Sequence, residues 1–140
     1  MKTAPFLMFN GNCKDAISLY ERAFATNVKK VIRYKDAPAE EGYEEIADSG
    51  DLILHAEIFV GDDVIYLCDS SPLNKCTFGN GMAIHINFDD INTVHDVFAV
   101  LKQGGEVGME PTETFWSKSF AILVDEFGVN WMLSYEEGKH

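Results

Sequence analysis

The chain contains the same order of predicted secondary-structure elements twice, and this internal repeat limits its possible folds more than any single motif. A strand-like segment, an amphipathic helix and three further strand-like segments occur before about residue 70 and again after residue 81. A repeated supersecondary unit is a property of the whole architecture, so it is weighed before local motifs. We therefore expect an α+β fold in which two βαβββ modules form a curved mixed sheet, with the helices on its outer face and a cleft on its inner face.

The first module is predicted over about residues 1–70. A buried strand over residues 5–10 leads to Asn12, which is a good N-cap residue, with Asp15 in the capping-box position. Apolar residues at helical spacing then predict an amphipathic helix: Ala16, Ile17, Tyr20, Ala23 and Phe24. Strands are expected near Val28–Tyr34, Ile53–Val60 and Val64–Cys68, and the last two flank a tight hairpin turn at residues 61–63.

The second module is predicted over about residues 82–136, after a link at about residues 71–81. Its first strand is Met82–Phe88, and the following helix has an apolar stripe of Val94, Val97, Phe98 and Leu101. Cap candidates for that helix are Asp89, Asp90 and Asn92, and Gly104-Gly105 ends it. Three strands should follow, near Glu106–Met109, Phe120–Val124 and Val129–Tyr135.

Composition and charge exclude several classes of protein. A chain of 140 residues with 46% apolar residues is long enough for one globular domain with a real core. No apolar run approaches the roughly 20 residues that a membrane helix needs, and no secretion signal opens the chain. The net charge of −12 disfavours nucleic acid as a partner. We expect a soluble cytoplasmic protein.

Acidic residues are concentrated in one segment that has no lysine or arginine. The segment contains Asp36, Glu40, Glu41, Glu44, Glu45, Asp48 and Asp51. It is interpreted as a solvated loop or short helix between strands, with an acidic lid that attracts a cation as the less favoured alternative.

The three cysteines, Cys13, Cys68 and Cys76, cannot all be paired and have no C-x-x-C spacing, so free thiols are expected. Cys13 follows the predicted helix cap, where the helix dipole would lower the pKa of a thiol. A nucleophilic role is therefore one interpretation of Cys13. The favoured interpretation is a small apolar residue at the start of a helix.

Two motifs make the chain resemble the PhnB-like branch of the vicinal oxygen chelate superfamily, which includes glyoxalases and bleomycin-resistance proteins. The segment Phe9-Asn-Gly-Asn-Cys-Lys-Asp-Ala16 resembles the first turn and helix entry of the branch. The C-terminal signature is matched by Glu113-Thr-Phe-Trp116 and Asp125-Glu-Phe-Gly-Val-Asn-Trp131. The chain departs from the branch at Ser117 and Ala121, where glycine is common. Some members are labelled demethylubiquinone methyltransferase-like, but the sequence has no Gly-rich nucleotide loop that would support methyl transfer.

The resemblance also implies where metal-dependent members of the superfamily place four ligands on facing strands. The matching positions in this chain are Pro5, Tyr66, a position near Ala83, and Met132. Proline and alanine side chains cannot ligate, methionine is soft, and a phenol is a poor ligand unless ionised. We therefore expect neither the usual divalent metal nor any other cofactor.

Strand alternation predicts which side chains face the cleft if Tyr66 does. Val64 and Cys68 then share its face, and a two-residue hairpin adds His55, Glu57 and Phe59, with Ala56 and Ile58 opposite. Inward-facing Ala83 similarly implies His85 and Asn87. With the aromatic residues Phe9 and Trp116, the candidate ligand-binding residues are Phe9, His55, Glu57, Phe59, Tyr66, His85, Asn87 and Trp116.

Three interpretations of these residues stay open. The favoured one is a metal-free site for a small organic molecule, because a few convergent polar groups in an apolar wall are typical of such pockets. The second is a structural hydrogen-bond network that fills the cleft. The third is an unconventional metal or acid–base site at His55, Glu57 and His85, serving a lyase or isomerase. A homodimer is also expected, since superfamily members commonly pair and exposed edge strands need cover.

Overall fold

The computed structural model describes residues 1–37, 51–71 and 74–136. The chain forms two compact units, Met1–Thr77 and Phe78–His140, whose boundary lies inside the predicted link. The expected order βαβββ occurs in each unit, so the predicted α+β fold of two similar modules is confirmed. The strands pair into two four-stranded mixed sheets, one in each unit.

The described residues of the first unit form four strands and one α-helix. The elements are β1 (Phe6–Phe9), α1 (Cys13–Phe24), β2 (Lys30–Arg33), β3 (Ile53–Val60) and β4 (Asp63–Asp69), with a 3₁₀ turn at Tyr34–Asp36. The sheet order is β1-β4-β3-β2, in which β1 and β4 are parallel and the other neighbours are antiparallel. The turn between β3 and β4 has two residues, and Gly61 supplies its positive φ of 62°.

Helix α1 covers one face of this sheet because its apolar residues recur at helical spacing. The buried side chains of that layer come from the helix and from alternate strand residues: Ala16, Ile17, Tyr20, Leu7, Phe9, Ala56, Ile58, Ile65 and Leu67. Asn12 occupies the N-cap position as predicted, but its side chain makes no capping hydrogen bond. The buried Asp69 carboxylate at the end of β4 instead accepts hydrogen bonds from the backbone N–H groups of Gly11 and Cys13.

The second unit repeats this plan. Its elements are β5 (Ile84–Asn87), α2 (Ile91–Leu101), β6 (Glu106–Thr112), β7 (Ser119–Val124) and β8 (Asn130–Tyr135). The sheet order is β5-β8-β7-β6, with β5 and β8 parallel. The predicted stripe of α2 is buried, together with Ala121, Leu123, Trp131 and Leu133 of the sheet. Among the cap candidates, Asp90 performs the role by accepting from the backbone N–H of Asn92 at 2.7 Å.

A buried carboxylate also organises the turn between β7 and β8. Asp125 is 3% exposed and accepts hydrogen bonds from the backbone N–H groups of Phe127 and Val129. Its second oxygen accepts the indole N–H of the fully buried Trp131 at 2.9 Å. A carboxylate with three donors satisfies the requirement that a buried charge be hydrogen-bonded. In the C-terminal signature, Asp125 and Trp131 therefore stabilise the turn between β7 and β8.

Candidate functional site

The face of the first sheet that α1 does not cover holds most of the predicted site residues of that unit. From Ala56 to Phe59 in β3 and from Ile65 in β4, alternate residues are buried on the helix-covered face, and those between them are half-buried on the open face. The register places Glu57 opposite Tyr66 and Phe59 opposite Val64, with Ala56 and Ile58 on the other face. The predicted alternation in these two strands is therefore correct.

His55 and Glu57 form a polar pair on this open face. The Nε2 atom of His55 lies 3.0 Å from Oε2 of Glu57, and the two side chains are 27% and 24% exposed. The pair arises because residues i and i+2 of a strand project from the same face, about 7 Å apart along the chain. A carboxylate bonded to one ring nitrogen fixes the orientation of the imidazole. The pair is accessible to a solute and is not part of the core.

Three rings cluster beside this pair. The ring centroids of Phe6, His55 and Tyr66 are 5.4 to 5.9 Å apart in all three combinations. Such separations and the tilted or edge-on orientations are those of favourable aromatic contacts. The arrangement shows that His55 and Tyr66 share one face of the sheet, as predicted. Phe6 is 47% exposed, so the cluster presents apolar surface to the outside.

Sequence reasoning placed the wrong phenylalanine of β1 on this face. The candidate residue Phe9 is 1% exposed on the helix-covered face, whereas Phe6, which was not among the candidates, is 47% exposed on the open face. The parallel register explains the difference, because it places Phe6 beside Tyr66 and Phe9 beside Asp69. A four-residue strand with apolar residues on both faces has no alternation from which its phase could be read. Met8 and Lys30 are further open-face residues that were not predicted.

The open face of the second sheet brings His85 and Asn87 together through a residue that was not predicted. Nε2 of His85 lies 2.8 Å from the Oγ atom of Ser134, which is also 3.4 Å from Oδ1 of Asn87. Ser134 is fully buried, whereas His85 is exposed. The register β5 to β8, with His85 beside Met132 and Asn87 beside Ser134, produces this contact. A serine in an apolar strand carries no sequence signal for such a role.

Trp116 lies in the segment between β6 and β7 and packs edge-on against Phe120, with ring centroids 5.5 Å apart. It is 44% exposed, and its neighbour Phe115 is 98% exposed. Hydrogen bonds from Ser117 Oγ to the carbonyls of Ser119 and Tyr135 hold the segment in place. Residues 113–118 line an open surface concavity. Trp116 is thus accessible at an ordered turn of the second unit.

The four positions matched to superfamily metal ligands do not fit a divalent ion. Pro5 and Ala83 have no side-chain donor atom, and Met132 offers only a thioether. The ring of Tyr66 packs against those of Phe6 and His55. Within the described ranges, no three His, Cys, Asp or Glu side chains group as a metal site would require.

The interpretation of Cys13 as a nucleophile is wrong. Its side chain is fully buried, and burial raises the pKa of the Cys13 thiol far above its ordinary value, with Asp69 and Cys68 adding to the effect. Burial likewise raises the pKa of Cys68 to about 11, with contributions from Asp69 and Cys76. Burial and neighbouring acidic groups therefore favour the protonated thiol. All three cysteines are free thiols, as expected.

The structure describes only part of the acidic segment and one of the two remaining histidines. His95 is exposed on the polar side of α2. Most of the acidic segment, from Glu40 to Asp48, and His140 lie outside the described residues. No helix in the described part of the chain has the length and apolar character needed to cross a membrane.

Comparison with known proteins identifies the family. Residues 1–134 match the family model described as 3-demethylubiquinone-9 3-methyltransferase. The chain is 29% identical to protein YjdN of Escherichia coli K12 over 140 residues, covering 96% of this chain and 95% of that protein.

Solved structures give the same result. The protein PA1353 of Pseudomonas aeruginosa is 33% identical, with a TM-score of 0.85 over 97% of this chain and 98% of that one. A Bacillus cereus structure described as a putative 3-demethylubiquinone-9 3-methyltransferase, PhnB protein, is 25% identical, with a TM-score of 0.76 over 96% and 99% of the two chains.

A more distant solved structure shares the fold. A glyoxalase-related enzyme from Fulvimarina pelagi is 12% identical, and it matches with a TM-score of 0.66 over 97% of this chain and 88% of that one. At this identity the likeness shows the fold alone. The match to the family model over residues 1–134 shows that the chain belongs to the family described as 3-demethylubiquinone-9 3-methyltransferase, in agreement with the PhnB-like motifs of its sequence.

Proposed function

We propose that the protein binds a small organic ligand on the open face of its first sheet, without the divalent metal that is usual in the superfamily. The observation that supports this function best is the polar pair of His55 and Glu57 beside the exposed rings of Phe6 and Tyr66. Ligand sites combine apolar and aromatic walls with a few polar groups that fix orientation. This face offers both.

The exposure of these side chains favours a ligand over a purely structural network. Polar groups that serve only the core are normally buried and completely satisfied, as Asp69 and Asp125 are. His55 and Glu57 keep about a quarter of their side-chain surface exposed, and Phe6 keeps about half of its surface exposed. A solute that covers the apolar surface and also forms hydrogen bonds with the polar pair would gain free energy from both contacts.

Methyl transfer, which the family's description names, is not part of the proposal. Nucleotide-containing donors are commonly held at a Gly-rich turn between a strand and the N-terminus of a helix. The corresponding turns in this chain are Asn10-Gly11-Asn12 and Phe88-Asp89-Asp90, and neither has that pattern. The open face of the first sheet is therefore the better-supported site.

A screen of small aromatic, cationic and carbonyl compounds by thermal shift, followed by calorimetric titration of the hits, tests the proposal. Binding should weaken in His55→Ala and Tyr66→Ala, whereas His95→Ala is the matched control because His95 is exposed on α2. Far-UV circular dichroism would establish that each variant is folded. Metal analysis after dialysis without chelator should find no stoichiometric zinc, nickel or iron.

The outcomes separate a binding site from a structural network. If the pair serves only structure, both variants should lose about 1–3 kcal/mol of stability, and no compound should depend on them. The proposal would be contradicted if no compound depended on His55 and Tyr66. It would also be contradicted if the affinity of every hit were unchanged in His55→Ala and Tyr66→Ala. One tightly bound metal ion per chain would contradict the metal-free part, and His55, Glu57 and His85 would then be the first residues to substitute.

The second candidate function is a lyase or isomerase that uses His55 as a general base on a carbonyl substrate. The hydrogen bond to Glu57 favours it, because a base oriented by a carboxylate is a recurrent catalytic arrangement. Turnover of α-hydroxycarbonyl or dicarbonyl compounds that is lost in His55→Ala and retained in His95→Ala would support it. Turnover that survives His55→Ala would exclude this role.

A further inference from the structure

One row of side chains crosses the whole first sheet on its open face. The register places Phe6 beside Tyr66, Tyr66 opposite Glu57, and Glu57 opposite Lys30. Residues directly opposite one another on neighbouring strands project from the same face. The row therefore runs from two aromatic rings through a carboxylate to an ammonium group.

The aromatic end of the row is a platform. The ring centroids of Phe6 and Tyr66 are 5.7 Å apart at an interplanar angle of 32°, and His55 packs against both rings. These separations correspond to rings in mutual contact, so no group can enter between them as it would in an aromatic cage. A planar ring can instead lie on the exposed surface of the cluster.

The other end of the row presents opposite charges, Glu57 and Lys30, on two neighbouring strands. The backbones of such strands lie about 4.8 Å apart. One oxygen of Glu57 is engaged by His55, and the structure of the described residues gives its other oxygen no hydrogen bond. Lys30 is exposed, and it makes no ion pair with the acidic residues that the structure describes. A ligand with only an ammonium would be attracted by Glu57 and repelled by Lys30, and a ligand with only a carboxylate would experience the reverse.

We infer that the ligand of this face is an aromatic zwitterion, in which a planar ring is joined by a short linker to an ammonium and a carboxylate. The ring packs on Phe6 and Tyr66, the ammonium pairs with Glu57, and the carboxylate pairs with Lys30. This order matches the order of the row. The inference rests on the proposed binding function and specifies its ligand class.

Three probes with one scaffold test the assignment: L-phenylalanine, phenethylamine, which lacks the carboxylate, and 3-phenylpropionate, which lacks the ammonium. Dissociation constants would be measured by NMR titration. L-Phenylalanine should bind roughly three- to tenfold more tightly than either analogue, because each charged contact is partly screened by solvent. In Lys30→Gln, L-phenylalanine should bind no more tightly than phenethylamine. In Glu57→Gln, L-phenylalanine should bind no more tightly than 3-phenylpropionate.

Matched controls are Lys29→Gln, an exposed neighbouring lysine, and Glu106→Gln in the other unit, and neither should change the order of the probes. Equal affinity for the three probes, or an order unaffected by Lys30→Gln and Glu57→Gln, would overturn the inference. If other compounds bind with dependence on Tyr66 while these probes do not, the ligand class is wrong and the proposed function stands. If no compound binds in a manner that depends on Tyr66, both the ligand class and the proposed binding function are wrong.

Discussion

Replacing Asp69 by asparagine should destabilise the first unit strongly. The carboxylate is 1% exposed, and it joins the start of α1 to the start of β3. One oxygen accepts the N–H groups of Gly11 and Cys13, and the other accepts that of Ile53, each at 2.9 Å. An asparagine amide can keep the first two bonds only by turning its NH₂ group towards the N–H of Ile53.

The magnitude follows from these contacts. A hydrogen bond to a charged group contributes about 1.5–3 kcal/mol, and a neutral one contributes about 0.5–1.5 kcal/mol. Asparagine loses one charged bond, leaves a buried donor unsatisfied and converts two charged bonds to neutral ones. Lower desolvation of the neutral side chain offsets part of the loss, so the net cost should be about 3 kcal/mol.

Urea unfolding followed by circular dichroism would measure this cost. With a slope near 2 kcal/mol per molar urea, the midpoint should fall by roughly 1.5 M. Asp62→Asn, in the exposed turn between β3 and β4, is the matched control and should change stability by less than about 0.5 kcal/mol. A loss in Asp69→Asn that is no larger than in Asp62→Asn would show that the three N–H groups do not depend on the carboxylate.

Three other predictions concern packing, protonation and assembly. Gly105→Ala should lower the free energy of unfolding by about 1–3 kcal/mol, because a Cβ atom there would collide with a backbone carbonyl of β7. Gly81→Ala should be nearly neutral, because a Cβ atom at that position meets no atom within 4 Å. Equal urea midpoints for the two variants would contradict this prediction. Since the pKa of Cys68 is raised from 9.0 to about 11, the folded state retains this proton, and the resulting stability is complete below pH 9 and lost as the pH rises through 11. The free energy of unfolding should therefore fall less between pH 9 and 11 in Cys68→Ala, and an unchanged fall would refute the assignment. Sedimentation should find a homodimer, since among the described residues the outer strands of each sheet have a neighbouring strand on one side only, and a clean monomer at micromolar concentration would exclude it.

The sequence predicted the architecture well where patterns are periodic or repeated. The bounds of β3 are as predicted, and the same-face grouping of His55, Glu57 and Tyr66 followed from alternation and a two-residue turn. It failed at Phe6 and Phe9, because a short strand with apolar residues on both faces has no readable phase. Long-range contacts could not be predicted either. Asp69 lies 58 residues from Gly11 in the chain, and no local pattern around either residue indicates their hydrogen bond.

The contacts around Tyr34 have a consequence for engineering this chain. Its backbone N–H donates to the carbonyl of Leu52 at 3.1 Å, and its hydroxyl donates to the carbonyl of Asp69 at 2.8 Å. Tyr34 thus joins the chain before residue 38 to the start of β3 and to the end of β4. A substitution that removes the hydroxyl would release the contact with β4 and leave only the backbone bond to Leu52, so this position should be kept when other parts of the first unit are substituted.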